Sequence, residues 1–180
     1  MKEIRLHGRG GQGVVKASQL VVKAAVAGDL HGQFIPFFGV ERKGSPVFGY
    51  LRLSHSEIRR KTQVYEPDML IIMDDSLLTM PETYAGLKEN GTVLINTVKA
   101  PEALGLPENC YTLATVDATG ISEKLFGKNV PNTAVLGAFA KVSDLVDKEL
   151  LFAEIEKAFG AENRKAAELA YDSVSVTKLH

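Results

Sequence analysis

The chain has 180 residues, of which 45% are hydrophobic and 24% are charged, and its formal net charge at pH 7 is -1. These proportions are ordinary for a folded globular protein, and the length predicts one domain, residues 1–180, with a substantial core. The near-neutral charge excludes general electrostatic binding to nucleic acid or to a membrane surface. The single cysteine, Cys110, excludes a disulfide framework or a cysteine-ligated metal cluster built within this chain.

No signal peptide precedes the first predicted strand, and no apolar run approaches the ~20 residues that a membrane-spanning helix needs. We therefore expect a cytoplasmic protein.

The N-terminal part begins with a predicted strand over residues 3–6, where polar and apolar residues alternate. A glycine-rich turn follows, and then a helix over residues 14–27 that has one wide apolar face and Gly28 as its stop. The order of strand, glycine turn and helix is typical of the opening of an α/β unit.

The middle of the chain alternates short apolar runs with loops. Residues 34–35 predict a short strand that Pro36 ends, and residues 47–53 predict another. Continuous apolar runs indicate strands that are covered on both faces, as in parallel sheets, and they occupy residues 69–73, 91–96 and 111–115. A short helix is predicted between residues 77 and 88.

The remainder of the chain predicts helices. Residues 132–142 are apolar nearly all round, which is typical of a helix buried inside its domain or against a partner. Asp147 is expected to cap a helix that Gly160 ends. Two further helices are predicted over residues 119–126 and 163–176. The fold class predicted is therefore a single α/β domain with a mostly parallel, Rossmann-like sheet flanked by helices and a helical C-terminal part.

The glycine turn after the first strand contains the pattern G-x-G-x-x-G at Gly8, Gly10 and Gly13. In dinucleotide-binding proteins this pattern is accompanied by an acidic residue about 20 positions later, at the end of the second strand. Here Phe34 to Phe37 occupy that zone, and Glu41 follows only later, inside a basic loop. The sequence therefore argues against a nicotinamide dinucleotide.

Three interpretations of this turn remain open at this point. Its backbone N–H groups are suited to a phosphate, with Arg9 and Lys16 beside it and Arg42 and Lys43 on a second loop. The same residues also fit a solvated basic rim, or a turn that only packs tightly against a neighbour.

Other candidate sites are weaker. His7, His31 and His55 are too widely spaced to predict a metal site. Asp74-Asp75, which follows a buried strand, is suited to capping the next helix, with acid–base chemistry as the alternative. We predict no catalytic residue in this chain.

Four stretches, taken together, resemble one known family. They are Gly8-Arg9-Gly10-Gly11-Gln12-Gly13-Val14, the loop from Phe37 to Pro46, Tyr65-Glu66-Pro67-Asp68, and Val130-Pro131-Asn132-Thr133-Ala134. In this order they are similar to the gamma subunits of pyruvate:ferredoxin oxidoreductase and related 2-oxoacid:ferredoxin oxidoreductases. The details around Phe37-Phe38 resemble the pyruvate members more than the 2-oxoglutarate or indolepyruvate members.

The resemblance implies a subunit of an enzyme that oxidatively decarboxylates a 2-oxoacid on thiamine diphosphate with Mg²⁺. Such an enzyme passes electrons through [4Fe–4S] clusters to ferredoxin and transfers the acyl group to coenzyme A. The implied partners are alpha, beta and delta subunits, which hold the thiamine and the clusters, so that the isolated chain is inactive.

The resemblance also implies that the gamma subunit helps to admit coenzyme A. The implied binding residues lie on two loops: Gly8, Arg9, Gly10, Gly11, Gln12, Gly13, Glu41, Arg42, Lys43 and Gly44. The alternatives are a gamma subunit for another 2-oxoacid, a free-standing nucleotide-binding enzyme, and a scaffold whose loops touch only partner subunits.

Overall fold

Seven strands form one mixed β-sheet, and its four central strands are parallel to one another. The computed structural model describes residues 1–37 and 43–180. The strands lie in the order β2-β3-β1-β4-β5-β6-β7, with antiparallel pairings at both edges. Their bounds are β1 (Lys2–Arg9), β2 (His31–Phe37), β3 (Pro46–Ser54), β4 (Met69–Ile72), β5 (Gly91–Asn96), β6 (Cys110–Val116) and β7 (Ser175–Lys178).

One face of this sheet packs against five α-helices, which share a single apolar cluster with it. The helices are α1 (Val14–Ala27), α2 (Ala118–Phe126), α3 (Asn132–Val142), α4 (Lys148–Phe159) and α5 (Ala161–Ser173). The opposite face has a second apolar cluster, to which Leu77, Leu87 and Leu104 contribute from short 3₁₀ turns and loops. Because both faces are covered, β4 consists of residues that are all buried, as its continuous apolar run predicts.

The predicted fold class is confirmed, and so are several local signals. Helix α1 spans the predicted residues and ends at Gly28, and α3 also has its predicted bounds. The Asp147 carboxylate accepts hydrogen bonds from the N–H groups of Glu149 and Leu150, so it caps α4 as expected. Cys110 lies in the core, with no exposed surface.

Two predicted boundaries are wrong. Helix α5 ends at Ser173 rather than near residue 176, and the next residues form β7 against β6. Strand β2 continues through Pro36, which pairs with Gly49 of β3. A proline is tolerated there because β2 is an edge strand, with one side free of ladder hydrogen bonds.

The helix predicted between residues 77 and 88 is also wrong: the chain there forms two 3₁₀ turns, Asp75–Thr79 and Pro81–Thr83. Consequently the α-helices of the described residues lie on one face of the sheet, and 3₁₀ turns and loops cover the other face.

Helix α3 is apolar nearly all round because most of it is buried within this domain. Its residues from Asn132 to Phe139 are all buried. A Cβ on Gly137 would overlap the backbone of Ala167, so glycine allows α3 and α5 to approach closely. The composition of α3 is therefore explained without a partner protein.

A buried ion pair joins β1 to β3 on the face opposite the α-helices. The Arg52 side chain is fully buried, and its Nε lies 2.8 Å from Glu3 Oε1. Its remaining N–H groups donate to the carbonyl oxygens of Thr62 and Gln63 and to the Gln33 amide oxygen. Arg52 thereby fixes the loop after β3 over the sheet.

We predict that Arg52→Ala lowers the free energy of unfolding by about 3–5 kcal/mol, because it leaves the Glu3 carboxylate buried without its main partner. Urea denaturation of the purified chain measures this change. Arg59→Ala is the matched control, since the Arg59–Glu57 pair is exposed on both sides and should contribute little. Equal stabilities for the two variants would contradict the prediction.

Candidate functional site

The glycine turn connects β1 to α1 at the carboxyl end of the parallel strands. Gly11 and Gly13 have φ angles of +92° and +82°, which favour glycine strongly. A Cβ on Gly13 would overlap the Asn132 side chain at the start of α3, and a Cβ on Gly8 would overlap Val14. Gly11 instead faces open space, with nothing within 4 Å of its ideal Cβ position. The turn is thus packed at both ends and open at Gly11.

The second predicted loop contacts this turn directly. The Gly10 N–H donates to the Ser45 carbonyl oxygen at 2.8 Å, and the Gly44 N–H donates to the Gly10 carbonyl oxygen at 3.1 Å. We call residues 10–13 together with residues 43–45 the two-loop surface. Lys43 and Gly44 are exposed on it. The other predicted binding residues of this loop, Glu41 and Arg42, lie outside the described residues.

Arg9 and Gln12 hold the turn against the segment that follows β4. The Gln12 amide accepts from the Arg9 N–H at 2.8 Å and donates to Asp74 Oδ2 at 2.7 Å. The Arg9 guanidinium donates to the Ser76 hydroxyl and to the Gly44 carbonyl oxygen. Both side chains, predicted as ligand contacts, are therefore engaged in shaping the two-loop surface.

Asp74 completes this set of contacts, and we call Arg9, Gln12 and Asp74 together the latch. Asp74 also caps the 3₁₀ turn that follows it, as the sequence predicts. Its burial raises the pKa, but hydrogen bonds from Ser76 and Gln12, together with the charge of Arg9, outweigh burial and hold the Asp74 pKa below its ordinary value. The carboxylate therefore stays ionised and stabilises the latch rather than acting as a general acid. Asp75 instead accepts from the Thr97 hydroxyl and pairs with Lys99.

The topology gives a second reason against a dinucleotide. In the Rossmann unit the second strand lies parallel beside the first, so that its terminal carboxylate reaches the ribose. Here α1 leads to β2, which is separated from β1 by the antiparallel β3. The carboxyl side of the β1–β4 gap is bridged by the Gln12 amide and the Asp74 carboxylate. A nucleotide therefore lacks both its usual acidic partner and its usual crevice.

The turn presents several backbone N–H groups that have no acceptor among the described residues. Within the described residues, no acceptor faces the N–H groups of Gly11, Gly13, Val14, Val15 and Lys16. Helix α1 has no side-chain cap and no acidic residue in its first turn. These donors, the helix dipole and the exposed Lys16 and Lys43 are suited to an anionic group such as a phosphate.

Two groups at the base of this region were not identified by sequence reasoning. His7 is 1% exposed, and its Nε2 accepts from Arg5 Nε at 2.9 Å. Arg5 in turn donates to the carbonyl oxygens of Val64, Thr83 and Ala85. Alternation of polar and apolar residues in β1 indicates a solvated polar face, and that face is buried here by loops distant in sequence.

Burial and the neighbouring Arg5 charge lower the pKa of His7 to about 3, so the imidazole is neutral in the folded protein. Since Nε2 accepts from Arg5, Nδ1 carries the proton, and Nδ1 has no hydrogen-bond partner among the described residues. The Phe48 ring packs edge-on against the imidazole with ring centroids 5.0 Å apart.

His7 should therefore make stability dependent on pH. In the unfolded chain it binds a proton near pH 6.5, whereas in the folded chain it does so only near pH 3. Its contribution is complete above pH 6.5 and is lost as the pH falls, by roughly 3 kcal/mol at pH 4. Urea denaturation measures the free energy of unfolding at pH 7 and at pH 4. Between these two values it should fall by roughly 3 kcal/mol less in His7→Gln than in wild type. The exposed His55→Gln is the control, and an unchanged pH dependence in His7→Gln would contradict the prediction.

The described residues contain no group of three or more His, Cys, Asp or Glu side chains that could hold a metal ion. In the same part of the chain, no helix combines the length and the apolarity that crossing a membrane requires.

Comparison with known proteins covers almost the whole chain. The family model described as pyruvate ferredoxin/flavodoxin oxidoreductase matches residues 3–173. The pyruvate/ketoisovalerate oxidoreductases common subunit gamma of Thermococcus kodakarensis is 44% identical, over 99% of this chain and 100% of the relative. Pyruvate synthase subunit PorC of Methanocaldococcus jannaschii is also 44% identical, over 97% of each chain.

A solved structure supports the same assignment. Pyruvate oxidoreductase subunit PORC of Thermotoga maritima superposes with a TM-score of 0.87 at 33% identity, over 98% of both chains. The family resemblance of the four sequence stretches is thereby confirmed. This chain belongs to the pyruvate ferredoxin/flavodoxin oxidoreductase family.

Proposed function

We propose that this chain is the gamma subunit of a pyruvate:ferredoxin oxidoreductase, residues 1–180 acting as one unit. The assembled enzyme converts pyruvate, coenzyme A and oxidised ferredoxin into acetyl-CoA, CO₂ and reduced ferredoxin in the cytoplasm. The observation that carries this proposal is the near-complete, 44% identical match to gamma and PorC subunits of pyruvate-oxidising enzymes.

The choice of the 2-oxoacid is expected to lie outside this chain. The Thermococcus relative is named as a subunit common to pyruvate and ketoisovalerate oxidoreductases. A subunit common to two oxidoreductases cannot by itself select between their substrates. We therefore assign substrate selection to the other subunits and keep pyruvate as the proposed substrate of the complex.

The proposed partners are alpha, beta and delta subunits, with ferredoxin reached through the complex. Thiamine diphosphate, Mg²⁺ and [4Fe–4S] clusters are assigned to those subunits. The donor set of this chain does not fit them: its one cysteine is fully buried, and the described residues form no cluster of metal ligands. We therefore derive no redox or decarboxylation step within this chain.

The role proposed for the two-loop surface is to bind coenzyme A on its way to the thiamine. Coenzyme A carries a pyrophosphate and a 3′-phosphate, which require N–H donors and cations. The N–H groups of the turn that have no acceptor among the described residues, together with Lys43, supply both, and Arg42 is a further candidate cation by sequence. Gly8, Arg9 and Gln12 act indirectly, since they hold the shape of the turn.

A scaffold role is the alternative, in which both loops only fit the surface of partner subunits. The two roles differ in their effect on coenzyme A. In a scaffold, a change at Gly11 alters assembly and leaves the KM for coenzyme A unchanged once the complex has formed.

We predict that Gly11→Ala raises the KM for coenzyme A in the assembled complex by about tenfold. An added methyl group and a strained φ displace the turn, and the loss of one charge-assisted hydrogen bond is worth about that factor. The measurement is the steady-state rate of pyruvate-dependent ferredoxin reduction as a function of coenzyme A concentration. Lys43→Ala should also raise this KM.

Gly127→Ala is the matched control. Gly127 also has a positive φ, +65°, and open space around its ideal Cβ, but it lies at the end of α2. Gly127→Ala should introduce the same kind of local backbone strain and leave the KM for coenzyme A unchanged. Equal KM values for Gly11→Ala, Gly127→Ala and wild type in intact complexes would contradict coenzyme A binding by the turn.

A further inference from the structure

A groove of about 570 Å³ lies between α1 and the edge strand β2. Its lining residues are Val15, Gln19, Val22, Lys23, Phe34 and Pro36. Four of these six side chains are apolar, although the groove is open to solvent. It begins at Val15 in the first turn of α1, which directly follows the glycine turn.

The edge strand beside the groove is unusually apolar for an exposed edge. Phe34 and Pro36 lie on the α1 side, and Ile35 and Phe37 alternate to the other side, where Phe37 stacks on Phe48 and is 42% exposed. Exposed apolar edge strands are aggregation-prone unless something covers them. Within a complex, this end of the sheet is therefore expected to be buried.

The rim of the groove is basic. Lys16 and Lys23 are seven residues apart on α1, so they lie on the same side of the helix, and both are exposed. Neither makes an ion pair with any described residue. Carboxylates on an approaching surface would therefore find two available cations beside an apolar floor.

These features argue against a second copy of this chain as the occupant of the groove. A two-fold contact through the groove would bring the lysines of both copies together, which is unfavourable. Pro36 also lacks the N–H that continuous strand pairing across the β2 edge would need. The groove thus favours side-chain packing by a different surface of opposite charge.

We propose that this groove seats an apolar segment of a partner subunit, flanked by Asp or Glu residues that pair with Lys16 and Lys23. The inference rests on the proposed function, because it assumes a chain that works inside a complex. It assigns the α1–β2 end of the sheet to the subunit interface.

The test uses the complex retained by a tag on this chain when it is co-expressed with its partner subunits. Lys16→Glu combined with Lys23→Glu should weaken retention of the partners by about tenfold at moderate salt, since two attractive contacts become repulsive. Lys157→Glu combined with Lys165→Glu is the matched control, because these lysines are equally exposed on α4 and α5. That control should retain the partners as wild type does.

A second variant tests the apolar floor without changing charge. Gln19 is exposed on the groove wall, so Gln19→Trp should fill the groove and also reduce retention, while Leu169→Trp on α5 should not. Thermal unfolding of each purified chain verifies that all variants are folded.

Wild-type retention separates the two proposals. If the wild-type chain retains no partner subunits, the proposed function falls. If wild type and both groove variants retain them equally, only the groove assignment falls. It also falls if the groove variants raise the KM for coenzyme A with retention unchanged, or if they abolish a dimer of the isolated chain instead.

Discussion

The latch between Gln12, Arg9 and Asp74 is the interaction on which the site depends. The Gln12 amide joins the end of β1 to the segment after β4 across the one gap where an α/β sheet ordinarily accepts a nucleotide. Arg9 extends the same connection to Ser76 and Gly44. Because these side chains satisfy one another, the crevice is bridged. The turn also has N–H groups without an acceptor among the described residues, and they lie beside the exposed Gly11, where a ligand or a partner can approach.

The sheet topology places the elements of the candidate site close to one another. Strands β2 and β3 extend the sheet beyond β1 by antiparallel pairing, and all α-helices lie on one face. The glycine turn, the second loop, the α1–β2 groove and the apolar edge therefore lie at one end of the molecule. On α4 and α5, Arg164 pairs with three glutamates in an exposed network.

Much of the fold follows from local signals. Nearest neighbours in sequence determine several elements: an apolar run forms β4, Gly28 ends α1, Asp147 caps α4, and an almost wholly apolar sequence forms α3. The sequence predictions are wrong where residues that are distant in the chain determine the local structure. Strand β7 has four exposed residues and forms because β6 offers an edge. Glu3, Arg5 and His7 alternate with apolar residues like a solvated face, yet loops far along the chain bury them. For the same reason, sequence alone predicts Arg9 as a ligand cation and misses Ser76 and Asp74 as its partners.

The most direct test of the central claim, that this chain works as a gamma subunit, is purification from its native cells by a tag on this chain. The recovered chains, iron and thiamine diphosphate are then measured. We expect stoichiometric recovery of further subunits together with iron and thiamine diphosphate, and ferredoxin reduction that depends on pyruvate and coenzyme A. Recovery of the chain alone, without iron or thiamine diphosphate and under mild conditions, would contradict it.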